Sequence, residues 1–262
     1  MTTLESSIRT SLDNGIGRIV IDRQDRRNAM DKDMRRAFAD TLEEFDGNPE
    51  VRCILISGAG GHFCSGADVG QFVPETIASS RRRMKQGGLR IASLLAAADK
   101  PVVAAVDGTA FGLGWAIALG CDIVLAGSRA TFCMPFAKLG LVADSGAAFH
   151  LTRLLGPLRA KDLLFTARTI DANEALSLGL ASRVVESDDL EAEALATAGQ
   201  LAAAPTLAIA MMKHLVDRSV SPRIDAFLRD EALISPQMRY TADFTEGTKA
   251  FREKRPPHFT GE

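Results

Sequence analysis

The chain has little to offer through sulfur or metal. Its four cysteines, Cys53, Cys64, Cys121 and Cys133, lie far apart, form no Cys-x-x-Cys pair and have no histidine at zinc-ligand spacing. That pattern gives no thiol redox motif and no structural metal site, and it makes a reducing compartment the default. No apolar run approaches the roughly 20 residues that span a bilayer, and Met1-Thr2-Thr3-Leu4-Glu5 lacks a basic segment followed by an apolar one. A cytoplasmic protein with no membrane partner is expected. Nor is there surplus charge: Lys plus Arg number 31 against 33 Asp plus Glu, a formal net charge of -2. Such a balance offers no broad attraction for a nucleic-acid backbone, so nucleic acid is not an expected partner. The runs Arg81-Arg82-Arg83 and Arg252-Glu253-Lys254-Arg255 are read as solvated helix faces, with a small phosphorylated ligand as the other reading.

What remains is the make-up of a folded enzyme. The chain has 262 residues, 46% of them apolar and 24% charged, close to globular averages and long enough to bury a substantial core. The runs Arg18-Ile19-Val20-Ile21, Cys53-Ile54-Leu55-Ile56, Val102-Val103-Ala104-Ala105-Val106 and Asp122-Ile123-Val124-Leu125 alternate with helical patterns and predict an α/β core over residues 1–185. Behind Asp31, a plausible N-cap, Met34, Phe38, Thr41, Leu42 and Phe45 recur at helical spacing. From about residue 186 the strand signal disappears. Three helical stretches broken near Pro205 and Pro222 predict a helical C-terminal unit over 186–262. There Ala208, Met211, Met212 and Leu215 form an apolar stripe that is read as packing.

Two glycine-rich segments follow strand patterns. In Ser57-Gly58-Ala59-Gly60-Gly61-His62-Phe63-Cys64-Ser65-Gly66-Ala67-Asp68, glycine permits unusual dihedrals that turn backbone N–H groups such as that of Ser65 toward a ligand oxygen. Taken alone, it also reads as a plain strand-to-helix turn. The second, Asp107-Gly108-Thr109-Ala110-Phe111-Gly112-Leu113-Gly114, precedes the apolar run Trp115-Ala116-Ile117-Ala118-Leu119, which reads as a buried helix with free N–H groups at Leu113. No Gly-Lys-Ser/Thr follows either segment, and Gly112-Leu113-Gly114 lacks the third glycine of the dinucleotide fingerprint. Nucleotide hydrolysis and hydride transfer lose support. Two N–H donors from separate loops instead suit chemistry that passes through a thioester enolate or oxyanion.

At Phe63-Cys64-Ser65-Gly66-Ala67-Asp68 and Gly108-Thr109-Ala110-Phe111-Gly112-Leu113-Gly114 the sequence resembles the crotonase (enoyl-CoA hydratase/isomerase) superfamily. Further matches at Arg26-Arg27-Asn28-Ala29-Met30, from Leu163 to Val185, and at Ala250-Phe251-Arg252-Glu253-Lys254-Arg255 extend the resemblance over essentially the whole chain. The resemblance implies a spiral of β-β-α units with a C-terminal helical subdomain, assembled as a homotrimer or as a hexamer of paired trimers. It implies an acyl-CoA thioester substrate and no cofactor, coenzyme A entering as part of the substrate. It places an oxyanion hole at the Ser65 and Leu113 amides, and the CoA adenine and phosphates near Arg26, Ala67 and Asp68. Phe251 and Lys254 would reach in from a neighbouring subunit. Gln24 stands where the family usually has proline, and Ala147-Ala148 where it has Gly-Gly. Where hydratases of the family carry two glutamates, this chain has Ala116 and Phe136.

Syn hydration is naturally the work of two carboxyls, whereas double-bond migration needs one base to take a proton from the alpha carbon and return it to the gamma carbon. The remaining candidate is Asp144, in Phe136-Ala137-Lys138-Leu139-Gly140-Leu141-Val142-Ala143-Asp144-Ser145-Gly146 before a helical pattern ending near Gly156. It reads both as a helix N-cap and as an acid/base. Leu141, Val142, Ala143, Ala147 and Phe149 make its surroundings apolar, which would raise its pKa. The segment is also similar to enoyl-CoA isomerases, especially the epoxyenoyl-CoA isomerases of phenylacetate breakdown, in which an aspartate at this position is catalytic. An isomerase is therefore expected ahead of a hydratase. The alternatives are hydration, aryl-CoA dehalogenation, which would want a histidine between Gly88 and Lys100 where none stands, and a non-enzymatic acyl-CoA-binding or RNA-binding homologue. Asp171 with Glu174 reads as a capping box, and His62, His150, His214 and His258 show no pairing with a nucleophile.

Overall fold

The computed structural model describes residues 7–204, 206–218, 224–225, 232, 236 and 239–257. Pro205, Pro222 and His258, with the side chains of His214 and Leu215, lie outside the described residues. Strands β1 (Ile8–Asp13) and β2 (Ile16–Ile21) form an antiparallel hairpin. Asn14 and Gly15 close it with φ of 49° and 77°, the positive pair that a two-residue turn matched to strand twist requires. β2 then pairs in parallel with β3 (Cys53–Gly58), and β4 (Val102–Val106), β6 (Ile123–Gly127) and β9 (Arg183–Val185) extend the sheet in the order β1-β2-β3-β4-β6-β9. A second sheet joins β5 (Thr109–Phe111), β7 (Thr131–Cys133) and β8 (Ile170–Asp171).

At the centre of the large sheet β3, β4 and β6 are mainly apolar because both their faces are covered. Along β3 and β4, Ile54, Ile56, Val102, Ala104 and Val106 face one core, while Cys53, Leu55, Val103 and Ala105 face another, the period of two that a strand imposes. Helix α1 (Lys32–Gly47) covers the first face with Met34, Phe38, Leu42 and Phe45. Asp31 starts it, accepting the Met34 N–H at 2.9 Å. Helix α4 (Leu113–Leu119) is buried at every position in the same core.

Helices α2 (Ile77–Gln86), α3 (Gly88–Ala97), α5 (Ala147–Thr166) and α6 (Ala172–Ser177) complete the first two thirds. Strand–strand–helix order recurs as β1-β2-α1, β4-β5-α4 and β6-β7-α5. α5 breaks at Gly156, whose φ of 73° and following Pro157 interrupt the helical ladder. Asp171 caps α6 by accepting the Glu174 N–H at 2.8 Å, while the Glu174 carboxylate pairs with Arg168.

Beyond residue 185, α7 (Leu190–Ala203) shares a core with the sheet: Leu190, Ala194, Ala198 and Ala202, four residues apart, pack on Cys53, Leu55, Val103, Ala105 and Leu125. Helix α8 (Thr206–Arg218) follows. Its expected packing stripe is corrected by the structure, since Ala208, Met211 and Met212 are exposed on the chain's surface. Helix α9 (Ala242–Glu253) folds back over the core. A Cβ on its Gly247 would lie 2.7 Å from the Leu139 Cα, so only glycine allows this close approach.

Candidate active site

The first glycine-rich turn is held by Asn28, a fully buried residue at φ 60°. Its Nδ2 donates to the Ala59 carbonyl at 2.8 Å and the His62 carbonyl at 2.6 Å, and its Oδ1 accepts the Arg23 N–H at 2.8 Å. The second turn is stitched to the first: Cys64 N–H donates to Thr109 O and Phe111 N–H to Cys64 O, both at 2.9 Å. His62 belongs to the same seam, its Nδ1 accepting the Thr109 N–H at 3.3 Å.

The structure corrects one expected donor. The Ser65 N–H donates to the Arg27 carbonyl at 3.0 Å and is already committed. Ala67 replaces it. Ala67 bridges Met30 in parallel, an arrangement made by Met30 N–H to Gly66 O at 2.8 Å and Asp68 N–H to Met30 O at 3.1 Å. That pattern uses the amides on either side and turns the Ala67 N–H away from Met30. Among the described residues neither the Ala67 nor the Leu113 amide has a protein acceptor. Leu113 opens α4, where the first amides have no intrahelical partner. Gly66 has a φ of 107°, and a Cβ built on it would lie 3.8 Å from the Leu113 nitrogen. Ala67 and Leu113 thus line one pocket.

Asp144 lines that pocket too, and it is the one carboxylate among the described lining residues. It is not the N-cap of α5: Gly146, at φ 80°, holds that place with no side-chain cap. The Asp144 carboxylate instead accepts the Ser145 hydroxyl at 3.0 Å. Burial pushes its pKa above the ordinary value, and the Ser145 hydrogen bond with the charges of Arg83, Arg35 and Arg239 pulls partly back. Phe136 and Leu113 stand beside it in the pocket, and Ala116 is buried in α4.

Three pocket residues went unremarked as such in the sequence: Arg35 on α1, Arg83 on α2, and Arg239. A signal existed for the first, since Arg35 falls on the buried stripe of α1 beside Met34 and Phe38. Arg83, read with its neighbours as part of a solvated face, turns inward with buried Met84 and pairs with Glu75 at 2.8 Å. Arg239 pairs with the same Glu75 at 3.0 Å and lies 4.6 Å over the Phe72 ring.

The residues expected to hold coenzyme A lie apart from Asp144, except Ala67. Arg26 is exposed beside Asp25, and Asp68 is occupied by an ion pair to Arg23 at 2.8 Å and by the Gly70 N–H at 3.0 Å. Phe251 and Lys254 are exposed on α9 and at its end, outside this pocket. Among the described residues no group of three or more His, Cys, Asp or Glu side chains is placed to hold a metal, and no helix is long and apolar enough to cross a membrane.

Comparison with known proteins gives the family. A probable enoyl-CoA hydratase of Rhodobacter capsulatus is 35% identical over 97% of this chain and 98% of its own. The 1,2-epoxyphenylacetyl-CoA isomerase of Escherichia coli is 32% identical over 97% and 98%. A crystal structure of an enoyl-CoA hydratase/isomerase from Pseudoalteromonas atlantica superposes with a TM-score of 0.87 at 33% identity, covering 97% of this chain and 100% of that one. Residues 11–262 match the enoyl-CoA hydratase/isomerase family, and the chain therefore belongs to that family, within the crotonase superfamily, as an acyl-CoA-metabolising enzyme.

Proposed function

We propose that the enzyme moves a double bond within a CoA thioester, from the 3-enoyl to the 2-enoyl position, with Asp144 as its acid/base. The observation that carries this is Asp144, the single carboxylate among the described residues of the pocket, which two unspent amides also line. The Asp144 carboxylate takes a proton from the alpha carbon, and the electron pair moves into a dienolate whose oxygen is held by the Ala67 and Leu113 N–H groups. Protonated Asp144 then returns that proton to the gamma carbon, leaving the conjugated thioester. The electrons stay within the substrate, so the reaction calls for no cofactor beyond the coenzyme A that the substrate carries.

Hydration is the second reading, because relatives bear hydratase as well as isomerase names. Against it, water activation and proton delivery would both fall to Asp144, Ala116 and Phe136 having no ionisable group. Purified protein given 3-enoyl-, 2-enoyl- and aromatic CoA thioesters separates the two. Isomerisation of the 3-enoyl thioester is expected, with any solvent deuterium that exchanges onto Asp144 entering at the gamma carbon, whereas hydration would place it at the alpha carbon. Rapid hydration of crotonyl-CoA without any isomerisation would refute it. The functional assembly proposed is a homotrimer or hexamer in which Phe251 and Lys254 complete a neighbour's CoA site.

A further inference from the structure

The pocket around Asp144 has an apolar lining in Leu89, Leu113 and Phe136, as a hydrocarbon acyl chain requires, yet three arginines also line it. A plain enoyl chain gains nothing from them. Glu75 serves two of the three, at 2.8 Å from Arg83 and 3.0 Å from Arg239. Arg35 has no such partner. It is only 8% exposed, its Nη1 donates to the Met30 carbonyl at 3.3 Å, and among the described residues no carboxylate comes within salt-bridge distance. Among the described residues Glu75 and Asp144 stand with these three arginines, and Asp31 at the start of α1 also acts on Arg35. Burial first, then the like charge of Arg83, lowers the pKa of both Arg35 and Arg239, the latter to about 10, and Asp144 pulls both partly back.

A buried guanidinium without a counter-ion is unfavourable, and its planar fork of donors matches a carboxylate. We propose that the acyl group of the substrate carries a carboxylate of its own, seated on Arg35 with Arg83 and Arg239 beside it, so that the enzyme takes CoA thioesters of dicarboxylic acids. This rests on the reading of the Asp144 pocket as the acyl site. The competing role for the arginines is to hold Asp144 ionised, in which case a second carboxylate in the pocket brings no advantage.

Binding of saturated thioesters distinguishes the two without any turnover, so the outcome does not depend on whether Asp144 isomerises. Calorimetric titration would compare succinyl-, glutaryl- and adipyl-CoA with neutral thioesters of equal carbon number. At least one dicarboxylic thioester is expected to bind about ten- to a hundredfold tighter than its neutral match, the range for a hydrogen-bonded charge. Arg35→Met should bring that ratio close to one. If Arg35→Met does not fold, Arg239→Met, which keeps Arg35 but removes a neighbouring cation, should still reduce the ratio. Neutral thioesters binding as tightly as their dicarboxylic matches in the wild type would overturn the proposal, as would a ratio unchanged in the folded variants. Failure of every thioester to bind would overturn the acyl-site reading, and this proposal with it.

Discussion

Asp144 must be ionised to take a proton, and its surroundings resist ionisation. Burial raises its pKa, so activity should fall away as pH drops through that raised value, with an acid limb above the ordinary carboxylate range. A pH profile of kcat locates it. The same shift acts on stability with a definite sign. Between the ordinary carboxylate pKa and the raised one, the folded chain binds more protons than the unfolded, so stability falls as pH rises through that window and stays lower above it. Asp144→Asn is uncharged throughout and escapes that loss. Its Tm near neutrality is expected to equal or exceed the wild type's, while turnover falls by roughly two to four orders of magnitude. Near-normal turnover would move the acid elsewhere. Asp144 was visible in the sequence as a lone carboxylate among apolar residues, but its two readings, cap and base, needed the backbone of Gly146 to separate them. The choice of Ala67 over Ser65 was not visible at all. Successive amides of an extended segment point to opposite sides, and pairing with Arg27 and Met30 decides which of them remains free.

Helix α4 brings the Leu113 amide to the pocket only because Gly114 lets it approach the first turn. A Cβ on Gly114 would lie 2.1 Å from the Cys64 carbonyl oxygen and 2.8 Å from the Cys64 Cβ, an overlap with backbone that no rotamer relieves. Gly114→Ala is therefore expected to lose about 1–3 kcal/mol in urea unfolding and, by shifting one oxyanion donor, about a hundred- to a thousandfold in kcat. Gly199 on α7 is the control, since a Cβ there meets nothing within 4 Å. Gly199→Ala should stabilise by about 0.4–1 kcal/mol through the unfolded chain alone, with activity unchanged. Wild-type stability and activity in Gly114→Ala would show that α4 tolerates displacement. At this scale the long elements were legible: β2, β3, β4 and β6, and α1 with its Asp31 cap, follow from runs and spacings in the sequence. The short strands β5, β7 and β8 were not. Strands of two or three residues carry no periodicity, and theirs is set by pairing with one another across long sequence separations. The helical pattern of α7 was legible, but its alanines at four-residue spacing did not reveal that they close the second face of the sheet.

On the scale of the whole molecule, one chain leaves apolar surface that it does not cover. Leu154, Leu158 and Phe165 on α5 are exposed, Leu158 to 83% and Phe165 to 71%, as are Met211, Met212 and Val216 on α8. The two helices abut, Arg153 donating to the Val216 carbonyl at 3.5 Å. Apolar groups gathered on neighbouring helices mark an interaction surface rather than a solvated one. The occupant proposed is a second copy of the chain, which also gives a use to Phe251 and Lys254, exposed here and not among the residues lining their own chain's Asp144 pocket. Wild-type protein should then elute in size-exclusion chromatography with light scattering as a trimer or hexamer. The double substitution Leu158→Glu with Phe165→Glu places like charges on that surface and should release smaller species, with circular dichroism reporting whether each subunit remains folded. If a neighbour supplies part of the CoA site, dissociation should raise KM for the thioester more than it lowers kcat, because Asp144 and its amides stay within one chain. A wild-type monomer with full activity would refute both the assembly and the shared site, whereas an oligomer whose dissociation leaves KM unchanged would retain the interface and return the whole of substrate binding to the single chain.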